Sequence, residues 1–159
     1  MPKSKTLFKT FCWVALVISL AACACNPAAK EKSPVLAALT HIDGEYVWNK
    51  KLSRHIYNKM ALIETIVSPE NPEKLMTILA NCIDDSTPSR STLNGKHLSL
   101  GVICYQALSQ TAYYEPTDST GDIKEFWPGH ILPTANAQEM RAAKRAWLDV
   151  VSAKSYILY

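Results

Sequence analysis

NPEKLMTILANCIDDSTPSRSTLNGKHLSLGVICYQALSQTAYYEP, residues 71–116, is the stretch on which the reading of the fold turns. Asn71 is a natural N-cap, and Pro72 suits the first helical position, where a missing amide hydrogen costs nothing. Leu75, Leu79, Cys82 and Ile83 then line one side of a helix. Asp84 to Gly95 is dense in turn residues and reads as a loop. Ser99 can cap a second helix, in which Leu100, Ile103, Cys104, Ala107, Leu108 and Thr111 or Ala112 fall on one side. The expected product is an antiparallel helix pair, with Cys82 near the end of one member and Cys104 near the start of the other, both facing inward.

Working outward toward the amino terminus, Leu52, Ile56, Met60, Ile63 and Val67 recur at helical steps, so Tyr46 to Val67 is expected to form an amphipathic helix ended by Ser68-Pro69. Pro34 to Leu39 opens a shorter helix, which Asp43-Gly44 interrupts. Toward the carboxyl terminus, Thr117 to Pro133 is a long irregular connection of the kind that often carries function. Asn136 and Glu139 spell a capping box, and Met140, Ala143, Trp147, Val150 and Val151 form the apolar stripe of the helix it starts. The apolar end, Tyr156 to Tyr159, is expected to fold back on the body.

Leu79 to Asp85, an apolar helix ending at an acidic turn, followed by the small-residue text Gly101 to Leu108, resembles the helix-turn-helix unit of HEAT-like repeat proteins. The likeness covers about Glu73 to Glu115, and Ala142 to Trp147 is similar to the closing helix of such chains. The turn is longer than usual, and two units fall short of the three that stable arrays want, so a compact helical bundle stays open beside it. The resemblance implies an all-α scaffold that binds protein and supplies no catalytic residue. The expected domain is therefore all-α, residues 34–159, with four to five helices and the HEAT-like hairpin at its centre.

The first residues carry an address. Lys3, Lys5 and Lys9 precede an uncharged, mostly apolar run from Thr10 to Ala22, too short for the roughly 20 residues of a membrane span. That is the pattern of a secretory signal. Leu20-Ala21-Ala22-Cys23 resembles the lipobox of bacterial lipoproteins, although Ala22-Cys23-Ala24 would also serve as an ordinary cleavage site. The resemblance implies that residues 1–22 are removed as a signal peptide and that Cys23 is acylated, by palmitate among other chains. Residues 23–33 then serve as a lipidated tether that holds the protein in the bilayer without spanning it. Ala24, rather than aspartate, after the cysteine implies sorting to the periplasmic face of the outer membrane.

Removing Lys3, Lys5 and Lys9 from the 17 basic residues leaves 14, against 14 acidic. A neutral domain carries no footprint for nucleic acid, nor for anionic lipid beyond its anchor. In an oxidising periplasm a Cys82–Cys104 disulfide is expected, closing a loop of roughly 20 residues worth about 3 kcal/mol. Two buried free thiols are the alternative. Cys25, in the tether, is left free or pairs between molecules.

Catalytic chemistry is not expected. Asp84, Asp85 and His97 match no metal-loop spacing, the four histidines form no ligand pair, and no serine sits in a nucleophile elbow. No cofactor or metal is implied. The aromatic segment Tyr113, Tyr114, Phe126 and Trp127 is the candidate partner-binding surface, because aromatic residues are enriched at interfaces. The plainer alternative is that Trp127 and Tyr113 cap the core from outside. Two functions fit a small domain on a lipid tether: a protein-binding scaffold at the envelope membrane, or an inhibitor or immunity-type lipoprotein that plugs a toxic hydrolase with an exposed loop.

Overall fold

After helix α1, Pro34–His41, which buries Val35 and Leu39, the chain alternates instead of spiralling, and this changes the fold class. Strand β1, Glu45–Asn49, and strand β2, Arg54–Tyr57, form an antiparallel hairpin that pairs Tyr46 with Tyr57 and Trp48 with His55. Side chains two apart on a strand share a face, so both aromatic pairs lie on the same side. The inner pair is buried, with ring centroids 5.1 Å apart. Only the last part of the expected helix from Tyr46 to Val67 is helical: α2, Met60–Val67, buries Ile63 and Val67. The structure, a computed structural model, describes residues 33–159 except 69–70, 118–119 and 124–125. The signal segment, Cys23, Cys25 and the tether up to residue 32 lie outside the described residues, as does Pro69.

Helix α3, Pro72–Cys82, starts as its sequence indicates, with the Asn71 side chain accepting from the Lys74 amide. The segment beyond it departs from expectation. Within Asp84–Gly95, read as a loop, lies strand β3, Pro88–Leu93, which turns at Asn94-Gly95 into strand β4, Lys96–Ser99. Both turn residues have positive φ, 51° and 74°, the conformation that a two-residue hairpin turn demands and that Asn-Gly supplies at low cost. The inward positions of β3 are Ser89 and Ser91, so the strand shows no apolar alternation. Their hydroxyls are satisfied inside: Ser89 donates to the Leu98 carbonyl at 2.9 Å and Ser91 to the Ile42 carbonyl at 2.8 Å. Ser91 has then spent its one proton, so the Tyr57 hydroxyl, 2.6 Å away, is the donor to Ser91 Oγ. Gly44 is required beside this relay, because a Cβ there would overlap the Tyr57 ring and hydroxyl.

The strands assemble in the order β2-β1-β3-β4, with β1 and β3 parallel: Glu45 lies opposite Thr92 and Tyr46 opposite Leu93. A parallel pair needs a crossover, which β2, α2 and α3 provide. Helix α4, Leu100–Thr111, is the most buried element, with Leu100, Ile103, Cys104, Ala107 and Leu108 at or near zero exposure. It packs on α1, α2 and α3 and touches β3 and β4. Ser99 occupies its N-cap position but makes no side-chain cap; the Leu100 and Gly101 amides donate instead to the carbonyls of Thr87, at 2.7 Å, and Asp85, at 2.9 Å.

Strand β5, Ala112–Tyr113, follows α4 directly and pairs with strand β6, Ile157–Leu158, at the chain's end. Between them, helix α5, Ala137–Ala153, carries a complete capping box from Asn136 and Glu139 and packs on α3. The molecule is thus a mixture of α and β, with a four-stranded mixed sheet and a two-stranded one, and the all-α expectation is overturned. α3 and α4 do pack together through a Cys82–Cys104 disulfide, their Cα atoms 5.9 Å apart. A β-hairpin separates them in the chain, so they are not the helix-turn-helix unit of a HEAT-like repeat. Ser33–Tyr159 forms a compact unit of its own, and its core runs from Val35 to Val150. Among the described residues, no helix is long and apolar enough to cross a membrane.

Candidate functional site

α4 ends at Thr111 because Ala112 turns to extended backbone, and pairing with β6 then carries Tyr113 outward. The Tyr159 amide donates to the Thr111 carbonyl at 3.2 Å, extending the same ribbon. From Tyr114 the chain enters its irregular connection, in which an isolated bridge joins Thr117 to Ile123. That connection is held by aromatic stacking. Trp127 lies 4.8 Å from Tyr114 and 5.1 Å from both Trp147 and His130, with the rings tilted or edge-on, the favoured aromatic geometries. Trp147, buried on α5, donates its indole N–H to the Gly129 carbonyl at 3.0 Å. Gly129 is fixed as glycine by the Trp127 ring, which a Cβ would overlap.

The four residues read from sequence as a partner surface therefore divide. Tyr114 and Trp127 are half-buried and pack against the core, where they act as the base of the connection. Tyr113 and Phe126 face solvent, Phe126 at 79% exposure. Ile123 and Leu132 in the connection, and Ile157 and Tyr159 at the chain's end, are exposed as well; an isolated apolar residue in an irregular segment, such as Ile123 or Leu132, carries no periodic signal in the sequence.

Two of the grooves that adjoin here meet at His130. One of about 310 Å³ lies among Tyr105, Tyr113, Ile123, Trp127, His130 and Tyr159. A second of about 470 Å³ is bounded by Phe126, His130, Ile131, Leu132 and Glu139, and shares His130 with the first. The Tyr105 hydroxyl and His130 Nδ1 are 3.3 Å apart at this shared wall. Burial raises the Tyr105 hydroxyl above its ordinary range, so it is a neutral phenol at neutral pH. Tyr113 titrates high as well, through desolvation, the hydrogen-bonded Glu115 carboxylate and its charge, and Tyr159. The first groove is thus lined mainly by aromatic rings and the second by Phe126 and aliphatic side chains, with one carboxylate in each, Glu115 and Glu139.

Elsewhere the titratable groups have structural work. Asp84 pairs with Lys144 at 2.8 Å, and Asp85 Oδ1 accepts from the Thr87 amide, closing the turn between α3 and β3. His97 lies exposed on β4. Among the described residues, no three His, Cys, Asp or Glu side chains gather as a metal-binding set. Cys82 and Cys104 are joined to each other and offer no thiolate. Compared with family models, with curated proteins and with solved structures, the chain matches none.

Proposed function

We propose that the protein is an envelope lipoprotein that binds another protein through the flank formed by β5, β6 and the connection from Tyr114 to Pro133. Acylation of Cys23 holds it at the periplasmic face of the outer membrane. The observation that carries the binding reading is the concentration of large apolar side chains on that flank: Tyr113, Ile123, Phe126, Leu132, Ile157 and Tyr159 are all exposed. Contiguous apolar surface on a small domain marks an interaction site, whereas single exposed residues do not. The tryptophan base beneath supports the reading, because a surface ordered before binding loses less entropy on binding.

The second reading is the inhibitor. Phe126 projects at 79% exposure one residue before the packed Trp127, so a large apolar side chain stands on a fixed base. In this reading Phe126 is the side chain that enters the cleft of a hydrolase.

A photocrosslinking residue placed at Phe126 or Tyr113, in the chain expressed in its native envelope, tests both readings. A single protein joined from both positions, and not from exposed Lys74 on α3, is the expected result. Equal labelling from Lys74, or no product, sinks the binding surface. If the crosslinked protein is a hydrolase inhibited by the wild-type chain and not by Phe126→Ala, the inhibitor reading is selected; a structural envelope protein selects the scaffold.

A further inference from the structure

Residues 23–159 hold 14 basic and 14 acidic residues, and that balance hides a local separation of charge. Residues 47–59 hold Lys50, Lys51, Arg54 and Lys59, together with His55, and no acidic residue. All five are exposed, and none of the four cations forms an ion pair with a described residue. They sit on the β1–β2 hairpin and just beyond it, whose outer end also carries the largest apolar exposure of the main sheet: Trp48 at 56% and Leu52 at 51%.

The hairpin's geometry places these groups together. The buried Tyr46–Tyr57 pair anchors its inner end in the core, and on the same face the Trp48–His55 pair, 5.1 Å between rings, extends the ladder into solvent. At the tip the Leu52 amide donates to Asn49 Oδ1 at 3.1 Å, and Ser53 takes a left-handed φ of 47°. The tip is therefore a shaped loop presenting Leu52 between Lys51 and Arg54.

We infer that this hairpin tip docks on an anionic phospholipid surface, with Leu52 and Trp48 entering the interface and Lys50, Lys51 and Arg54 meeting the headgroups. Trp favours the headgroup level of a bilayer. Basic residues beside an anionic leaflet are attracted to it, and the attraction fades within a Debye length of the surface. Lysine is depleted at protein interfaces, yet here lysines flank the apolar tip; lipid accommodates that arrangement because the long stems lie along apolar surface while the ammonium groups stay among phosphates. The inference runs against the expectation that the domain has no footprint for anionic lipid beyond its anchor. It requires neither acylation of Cys23 nor the partner-binding flank, and goes beyond both.

The test uses residues 26–159, which contain the whole self-contained unit and lack any acyl chain. Flotation is measured with vesicles of phosphatidylcholine alone and with vesicles in which one lipid in three is phosphatidylglycerol. Flotation with the anionic vesicles only, reversed by salt and reduced about tenfold or more by Lys50→Glu, Lys51→Glu and Arg54→Glu together, is expected. Leu52→Asp is expected to reduce it too. Because these side chains are exposed, unchanged circular dichroism verifies folding. Equal flotation on neutral vesicles, none on anionic vesicles at low salt, or an unaffected triple variant overturns the inference. So does salt-sensitive binding to polyglutamate without vesicle binding, which makes the hairpin a site for an acidic protein.

Discussion

The junction between α3 and α4 and the flank around β5 and β6 lie at opposite ends of one helix, α4, and dispose of apolar groups in opposite ways. At the junction Ile83, Leu100, Ile103 and Cys104 are fully buried, Gly101 presses on the Ile83 carbonyl, and a disulfide joins the helices. At the flank Tyr113, Phe126 and Tyr159 lie open over a base of packed tryptophan. Burial at one end supplies stability, so the other end is free to expose surface without endangering the fold. Substitutions at the two ends should accordingly separate stability from binding.

The largest effect is expected at Gly101. Leucine there drives its side chain into backbone that cannot yield, and Gly101→Leu should cost about 3 kcal/mol or more, read as a lowered urea midpoint. Next comes the disulfide: replacing Cys82 and Cys104 by alanine together should cost about 3 kcal/mol by the chain-entropy argument. Reductant should bring the wild type toward the same midpoint and leave the double variant unmoved. If the double variant loses nothing, the junction is held by packing alone.

Alkaline titration probes the far side of α4. Burial raises the hydroxyls of Tyr46 and Tyr57 above their ordinary range. In the unfolded chain they lose protons near pH 10, while the folded chain keeps them. Above that pH the unfolded state binds fewer protons, so stability is full below about pH 10 and falls as pH rises beyond it. Tyr57→Phe should flatten that fall in thermal melts between pH 8 and 11, and also remove the donor to Ser91. The smallest stability effect belongs to the flank. Phe126→Ala should stay within about 0.5 kcal/mol of wild type and still abolish crosslinking to the partner. A large loss of stability there would break the contrast.

What the sequence revealed and what it concealed follow from periodicity. Asn71-Pro72 and the Asn136–Glu139 box mark the starts of α3 and α5, because caps are local chemistry. The stripe Met140, Ala143, Trp147 and Val150 is the buried face of α5. Over residues 46–67 the helical steps of Leu52 and Ile56 were coincidental: Leu52 is an exposed tip, and the true signal was the paired tyrosines at Tyr46 and Tyr57. In β3 the inward residues are serines, so a polar stretch concealed a strand that the Asn94-Gly95 turn alone announced. On the flank, Tyr113 and Phe126 were legible as aromatic residues at and within a long connection. Which aromatics pack inward depended on Trp147, from a helix distant in sequence.

The parallel pairing of β1 with β3 leaves a trace in how the chain must acquire its shape. When the β1–β2 hairpin first forms, the side of β1 destined for the middle of the sheet has no neighbour, and its partner arrives only after α2 and α3. Until then two unpaired strand edges are open to another copy of the same hairpin. Contacts so distant along the chain also form slowly. The edge of β1 that β3 covers is thus the part of this chain most open to self-pairing before the sheet is complete.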